Sequence, residues 1–246
     1  MRRGPRPATR TARPARAPRA RTRTLIRTLA ACAAALLAAL VLPAAPAAAA
    51  GPADVTAVRG GDVLYGSGGT VCAVGFNARD ASASYGLLPG HCAAAAQTWF
   101  ADPALTVQVG VTAGAQFPGS DYGVIRYTNP DLSYPGEIRA GGQIIDITGA
   151  AAPTVGRAVC RAGTTTGVRC GTVTAVNVTI NHPEGAVTGL FATTVCAEPG
   201  ERGGSAYSGT TALGLEAGGS GNCASGGASY YQPVTEVLAA YGLTLY

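Results

Sequence analysis

The sequence predicts an all-β protein. From residue 70 to the C-terminus, short runs that favour strands are separated by glycine and proline. Several of these runs alternate apolar with polar or small residues, a pattern that favours an antiparallel sandwich or barrel. A single segment near the C-terminus has the pattern of a helix. The number of predicted strands suits two antiparallel barrels of about six strands each.

The predicted strands follow one another with no repeat or low-complexity tract between them. They are TVCAVGF (70–76), TVQVGVTAG (106–114), DYGVIRYT (121–128), QIIDITGAA (143–151), RAVCRAG (157–163), VRCGTVTAVNVTI (168–180), AVTGLFATTVCA (186–197) and SAYSGTTALGLEA (205–217). The clearest alternation predicts that Val173, Ala175, Asn177 and Thr179 lie on one face of their strand. A proline-containing break near residues 129–137 is the predicted boundary between the two halves.

The segment QPVTEVLAAYG (232–242) predicts a helix over about residues 233–241. Proline is tolerated in a first helical turn, as at Pro233, and glycine is typical where a helix ends, as at Gly242. The predicted apolar face consists of Val234, Val237, Leu238 and Tyr241.

The N-terminal 50 residues have the pattern of a signal peptide. Residues 1–27 hold ten of the 18 basic residues, and the apolar run LAACAAALLAALVL and the small residues PAAPAAAAG follow. The apolar run is short for a permanent membrane anchor, which is the alternative interpretation. We expect cleavage near Ala50, secretion to the extracellular medium, and no membrane association after the signal is removed.

Removal of this segment reverses the sign of the net charge. Residues 51–246 retain eight arginines and all 13 acidic residues, a formal charge of −5. The basic balance of the whole chain therefore gives no support for nucleic-acid binding.

Six of the seven cysteines lie after the predicted signal peptide. They are Cys72, Cys92, Cys160, Cys170, Cys196 and Cys223. An even number in an exported chain predicts three disulfides. The sequence alone permits several pairings, of which the local one (Cys72–Cys92, Cys160–Cys170, Cys196–Cys223) closes short loops. With no C-x-x-C and only two histidines, we predict no metal site and no cofactor.

Three motifs carry the candidate chemistry: PGHC (89–92), SDYGVIRY (120–127) and CAEPGERGG (196–204). In this order and spacing, with the matching cysteines, they resemble the streptogrisin and α-lytic branch of the chymotrypsin-like serine endopeptidases. The likeness covers essentially all of residues 60–246. It implies two six-stranded Greek-key barrels, with barrel one at about 60–135, barrel two at about 136–232, and an active site in the cleft between them.

The resemblance also implies roles for individual residues. His91 matches the general base, and Asp121 matches the group that orients it. Gly200 matches one backbone donor of the oxyanion hole. The local cysteine pairing matches the disulfides of the family. His182, in contrast, is expected to be an exposed turn residue.

The stretch AGGSG (217–221) matches the strand that pairs with an extended peptide. We therefore assign Ala217, Gly218 and Gly219 to substrate binding, and the glycines imply room for a large apolar side chain. Ala217 stands where the family has a serine that supports the triad aspartate.

The glycine-rich turn departs from the family pattern at its centre, because Glu201 and Arg202 stand where relatives have aspartate and the nucleophilic serine. A guanidinium stays protonated and has no lone pair with which to attack a carbonyl. Glu201 is expected to keep the ion pair that the family forms with an arginine matching Arg161. Ser205 lies three residues beyond the nucleophile position, a displacement of several ångström.

The sequence thus predicts a secreted homologue of the streptogrisin-like serine endopeptidases that lacks or nearly lacks peptidase activity. Its cleft is expected to bind a peptide or protein ligand, and the protein is expected to be a monomer. The alternative is an active endopeptidase that cleaves after large apolar residues, if the GERGG stretch is a sequence error or Ser205 substitutes. A purely structural role is a third possibility.

Overall fold

The structure, a computed structural model, describes residues 56–201 and 204–246. Two predictions lie outside these residues: the signal peptide at 1–50, and Arg202 at the nucleophile position. The described chain is mostly strand, and the strands form two curled antiparallel sheets and one small hairpin.

The first barrel is formed by the N-terminal half of the described chain. Its elements are β1 Val63–Gly66, β2 Val71–Ala73, β3 Phe76–Arg79, β4 Ser84–Leu88, helix α1 Gly90–Ala94, β5 Thr98–Phe100, β6 Gln108–Gln116 and β7 Tyr122–Tyr127. The strands pair in the order β3-β4-β7-β6-β5-β1-β2. Only Val74 and Gly75 separate β2 from β3, so these two form one bent strand that closes a six-stranded barrel.

The second barrel follows a short hairpin. The hairpin consists of β8 Glu137–Ala140 and β9 Gln143–Asp146. The strands of the second sheet are β10 Gly149–Ala150, β11 Ala158–Gly163, β12 Gly167–His182, β13 Gly185–Thr193, β14 Ser205–Ser208, β15 Thr211–Asn222 and β16 Gly226–Pro233. Strands β15-β14-β11-β12-β13-β16 pair in that order, and β16 pairs again with β15. The ring therefore contains six strands, with β10 added in parallel to β15. The predicted all-β fold of two six-stranded barrels is confirmed.

The C-terminal segment joins the two barrels. Helix α2 spans Val234–Tyr241 and ends at Gly242, whose φ of 63° lies in the left-handed region that favours glycine. Strand β17 Thr244–Leu245 then pairs with β3 of the first barrel. Val234 and Val237 are fully buried in a core with Phe76 from one barrel and Leu215 from the other. Burial of each such side chain contributes about 1.5–3 kcal/mol, so the helix helps to fix the relative position of the barrels.

The predicted alternation in β12 is wrong beyond Ala175. The register to β13 shifts between Ala175 and Val178, and Asn177 has a φ of 55°. This bulge turns the following residues over, so that Val178 and Ile180, rather than Asn177 and Thr179, pack toward the barrel interior. A bulge inserts one unpaired residue into one strand only, and alternation along a single strand does not reveal it.

The sequence patterns also missed helix α1 and several short strands. Helix α1 is a single turn of five residues, shorter than any segment in which a helical period is visible. It nevertheless holds His91, and its position is fixed by the Cys72–Cys92 disulfide.

The predicted disulfide pairing is confirmed. Cys72–Cys92, Cys160–Cys170 and Cys196–Cys223 are bonded, at sequence separations of 20, 10 and 27 residues. In the chain-entropy account, loops of these sizes contribute about 3 kcal/mol each to the free energy of unfolding.

Among residues 56–201 and 204–246, no helix combines the length and apolar character that crossing a membrane requires.

Candidate active site

His91 is positioned by helix α1 at the edge of the first barrel. The helix begins immediately after Pro89, which follows β4. Gly90 allows a close approach, because a Cβ there would lie 2.1 Å from the carbonyl oxygen of Gln116 and 2.7 Å from the amide nitrogen of Tyr122. With Gly90 pressed against β6 and β7, the neighbouring His91 projects into the cleft.

Asp121 lies directly before β7, and its side chain is completely buried. Its Oδ1 accepts a hydrogen bond from the backbone N–H of His91 at 2.8 Å. The Nδ1 atom of His91 lies 2.9 Å from Oδ2 and 3.1 Å from Oδ1. With the proton on Nδ1 held by this carboxylate, Nε2 carries the lone pair that a general base needs.

The acidic surroundings of His91 favour its charged form. Burial by itself disfavours an imidazolium, but the hydrogen bond and charge of Asp121, together with the charges of Glu216 and Glu184, raise the pKa of His91 above its ordinary value. The geometry of His91 and Asp121 is the one expected for the predicted general base and its orienting carboxylate.

A second support for Asp121 comes from the other barrel. The backbone N–H of Asp121 donates to Oε1 of Gln232 at 2.8 Å, and Nε2 of Gln232 donates to Oε2 of Glu236 at 2.6 Å. Gln232 is fully buried. The sequence patterns did not indicate this residue, because its partner Asp121 lies 111 positions away and nothing in the neighbouring sequence marks the contact. Ala217 has no hydroxyl that could donate to Asp121. The contact with Gln232 connects the backbone of Asp121 to the second barrel.

The glycine-rich turn is held by Glu198 and by the Cys196–Cys223 disulfide. Oε1 of Glu198 accepts a hydrogen bond from the backbone N–H of Cys223, and the N–H of Glu201 donates to the carbonyl oxygen of Glu198. Gly200 has a φ of 79° and lies exposed at the cleft. Its role as an oxyanion donor stays a prediction.

Behind this turn lies a buried ion-pair cluster of Arg161, Glu201 and Glu216. Arg161 is fully buried, with Nη1 2.8 Å from Oε2 of Glu201 and Nη2 2.9 Å from Oε2 of Glu216. Space for the cluster depends on two glycines, since a Cβ at Gly163 would lie 2.2 Å from Oε1 of Glu201 and one at Gly204 would lie 2.5 Å from Nε of Arg161. The longer glutamate thus keeps the ion pair that the sequence predicted.

Glu201 is fully engaged in this cluster. Its Oε1 accepts hydrogen bonds from the backbone N–H groups of Thr165 and Thr166, both at 2.7 Å. Burial opposes ionisation, but the Thr166, Thr165 and Arg161 hydrogen bonds outweigh it and lower the pKa of Glu201 to about 2. Glu201 therefore stays ionised throughout the physiological range.

The candidate cleft has a volume of about 710 Å³ and lies beside His91. Its walls include all three predicted substrate-binding residues, Ala217, Gly218 and Gly219. His182 also lines the cleft, half-buried at the end of β12, so its assignment as an exposed turn residue is wrong. The β12 bulge explains the error, because it turns Ile180 and His182 to the inner face.

Ser205 does not face the cleft. It is fully buried at the start of β14, where it pairs with Leu215 of β15. Its hydroxyl donates a hydrogen bond to the carbonyl oxygen of Gly75, in the first barrel. A side chain held in this way is not available to His91.

No group of three or more histidine, cysteine, aspartate or glutamate side chains suited to a metal ion occurs in residues 56–201 and 204–246.

Two six-stranded barrels, with the histidine of a histidine–aspartate pair facing the cleft, define the chymotrypsin-like fold class. Comparison with known proteins gives the family. The chain is 46% identical to serine protease 2 of Streptomyces fradiae over 172 residues, covering 69% of this chain and 99% of that protein. It belongs to the streptogrisin branch of the chymotrypsin-like serine proteases.

Two further comparisons agree with this assignment. The chain is 44% identical to streptogrisin-A of Streptomyces griseus over 189 residues, covering 76% of this chain but only 61% of the length of that relative. The solved structure of α-lytic protease homologue N4 matches with a TM-score of 0.73 and 56% identity, over 78% of this chain and all of that one. No family model matches the chain.

Proposed function

We propose that the protein is an exported member of the streptogrisin-like serine endopeptidase family that binds peptides but lacks or nearly lacks peptidase activity. The observation that carries the proposal is Arg202, which follows Glu201 where the family has its serine. An arginine offers five N–H donors and no nucleophilic lone pair, so no acyl intermediate forms on it.

The groups around the nucleophile position keep their predicted contacts. His91 and Asp121 are 2.9 Å apart at Nδ1 and Oδ2, and Gln232 supports the aspartate from the second barrel. The ion pair of Arg161 with Glu201 holds the turn from behind. These contacts support a site that keeps its histidine–aspartate pair although the serine, the neighbouring aspartate and the serine at the Ala217 position are all replaced.

The contacts of Ser205 weigh against the alternative in which this serine substitutes for the missing one. Its hydroxyl is bound to the Gly75 carbonyl and buried in the contact between the barrels. Misplacement by about 1 Å already costs catalysis about a hundredfold. The other alternative, a sequence error in GERGG, is decided by resequencing codons 200–204.

Strand β15 supports the peptide-binding part of the proposal. Its residues up to Leu215 pair with β14, whereas Glu216–Asn222 pair, among the described strands, with β16 alone. The opposite edge of this segment lines the cleft through Ala217, Gly218 and Gly219. An extended peptide can add to such an edge through backbone hydrogen bonds.

We propose further that residues 1–50 are removed on export and that residues 51–246 act outside the cell as a monomeric protease domain. In this arrangement barrel one covers about 60–135, barrel two about 136–232, and the C-terminal helix about 233–241.

The deciding experiment compares the native chain with Arg202→Ser and with the double variant Glu201→Asp/Arg202→Ser. We expect the native chain to show no turnover of chromogenic peptides and no labelling by a phosphonofluoridate reagent. The double variant should gain both, and a further His91→Ala change should remove its turnover.

Two results would overturn the proposal. One is native turnover that His91→Ala removes, together with labelling at Ser205. The other is a folded double variant that remains inert toward every peptide and reagent.

A further inference from the structure

We infer that the cleft selects a peptide with a cationic side chain, lysine or arginine, and that Glu216 determines this preference. The inference rests on the peptide-binding cleft of the proposed function and names the class of ligand that it takes.

The wall of the cleft carries a net negative charge. Four glutamates line the cleft, and among its described lining residues there is no lysine or arginine. They are Glu184, Glu198, Glu201 and Glu216. Arg161 lies behind the wall and neutralises one of these charges. The formal charge of Arg202 and the charge of a protonated His91 still leave the formal balance negative. The cleft therefore attracts cations and repels anions.

Arg161 is shared between the carboxylates of Glu201 and Glu216. One guanidinium faces two carboxylates, so the buried cluster carries one negative charge more than it neutralises. Glu201 has both oxygens occupied by Arg161 and by Thr165 and Thr166. The surplus charge is therefore carried by Glu216.

Glu216 is placed to offer that charge to a ligand. Its side chain is 12% exposed and lines the cleft, while its Oε2 is held by Arg161. Its Oε1 accepts no hydrogen bond from the described residues. Burial raises the pKa of Glu216, and the charges of Arg161 and His91 oppose this shift. A lysine ammonium or arginine guanidinium would supply the missing partner.

The remaining walls suit the rest of such a side chain. Phe117 packs edge-on against His182 with 5.6 Å between ring centres. Gly218 leaves space in front of Ile180 and His182, since a Cβ there would lie 3.5 Å and 4.0 Å from them. These surfaces can cover an aliphatic stem. Nε2 of His182 is buried and has no hydrogen-bond partner among the described residues, so a ligand N–H can donate to it when the ring proton lies on Nδ1.

Other side chains fit the cleft less well. A glutamate would meet like charges on Glu216 and Glu184. A large apolar side chain, which the glycines alone suggest, would cover Glu216 without replacing the water that solvates it, and a buried charge without a partner is costly. Lysine and arginine combine an apolar stem with a cationic end. The stem suits the apolar surfaces of the wall, and the cationic end suits the carboxylate of Glu216.

The test uses the full native chain and a series of extended peptides that differ at one position: lysine, arginine, norleucine or glutamate. Isothermal titration calorimetry should show lysine or arginine peptides binding at least tenfold more tightly than norleucine, with glutamate weakest. The preference should fall as salt is raised. Equal or tighter binding of the norleucine or glutamate peptide, or binding of none of the four, would overturn the inference.

A matched pair of variants assigns the preference to its residue. Glu216→Gln should reduce the lysine-over-norleucine ratio to within threefold of unity. Glu137→Gln removes the same charge outside the cleft, where Glu137 pairs with Arg59, and should leave the ratio unchanged. An unchanged ratio in folded Glu216→Gln would overturn the role of Glu216. If that variant does not fold, the peptide series on the native chain decides the inference alone.

The double variant Glu201→Asp/Arg202→Ser separates this inference from the proposed function. Cleavage after phenylalanine but not after lysine would refute the cationic preference and leave the proposed function standing. An inert double variant, with a lysine preference retained in native binding, would refute the proposed function and support the inference.

Discussion

The hydroxyl of Ser205 donates a hydrogen bond to the carbonyl oxygen of Gly75, joining β14 of the second barrel to the link between β2 and β3 of the first. The two residues are 130 positions apart in the chain. This contact gives Ser205, three residues beyond Arg202, a structural role.

Replacement of Ser205 by alanine should therefore lower the free energy of unfolding and leave the peptidase activity unchanged. We expect the free energy of unfolding to fall by about 1–3 kcal/mol, because the buried Gly75 carbonyl loses its donor. Urea unfolding measures the loss, and Ser208→Ala, at the other end of β14, is the control with a smaller effect. Peptidase activity in the native chain that disappears in Ser205→Ala would contradict this assignment.

The His91–Asp121 pair should make stability depend on pH. Because Asp121 raises the pKa of His91, the pair's contribution is fully present below the unfolded value of about 6.5. It is lost as the pH rises through the higher folded pKa. NMR titration of His91 should show the raised pKa, and Asp121→Asn should lower it. An Asp121→Asn destabilisation that is greater at pH 9 than at pH 5 would contradict this account.

Glu201 should produce the opposite pH dependence. Its folded pKa of about 2 lies below the unfolded value of about 4.3, so its contribution is present above the unfolded pKa and is lost as the pH falls toward 2. At pH 7, Glu201→Gln should lower the free energy of unfolding by about 3 kcal/mol, because the buried Arg161 loses a charged partner. The half-buried pair of Arg59 with Glu137, which is more exposed than the Arg161 cluster, is the control, and Glu137→Gln should cost less than about 1 kcal/mol. Equal losses in chemical denaturation would show that the Arg161 cluster is not a buried ion pair.

The disulfide Cys72–Cys92 should support both stability and the placement of His91. Alkylation of the unreduced protein, followed by mass spectrometry, should label none of the six cysteines between residues 72 and 223. Cys72→Ala/Cys92→Ala should cost about 3 kcal/mol and shift the NMR resonances of His91, since Cys92 is its neighbour in α1. Removal of Cys160–Cys170 is the matched control, and it should leave the His91 resonances in place. Two or more labelled cysteines in the unreduced native protein would refute the pairing.

Local patterns were sufficient for much of the fold. Glycine and proline punctuate the strands, an even set of six cysteines accompanies a signal-like N-terminus, and Pro233 and Gly242 bracket the terminal helix. Each of these signals depends on only a few neighbouring residues or on a residue count, so it can be identified from the sequence alone. The proposal that the nucleophile is lost rests on the same kind of signal, because the side chain of Arg202 has no nucleophilic atom in any fold.

Only the tertiary structure decided which distant groups meet. The bulge at Asn177 turns His182 into the cleft, and this depends on the register with β13. Gln232 reaches the backbone of Asp121 across 111 residues, and Glu216 shares Arg161 with Glu201 because three separate strands and turns converge there. The positions of His182 and Glu216 come from strand pairing within the second barrel, and the Gln232 contact comes from packing between the barrels. No local stretch of sequence encodes either. The residues that support the base and charge the cleft are therefore visible only in three dimensions.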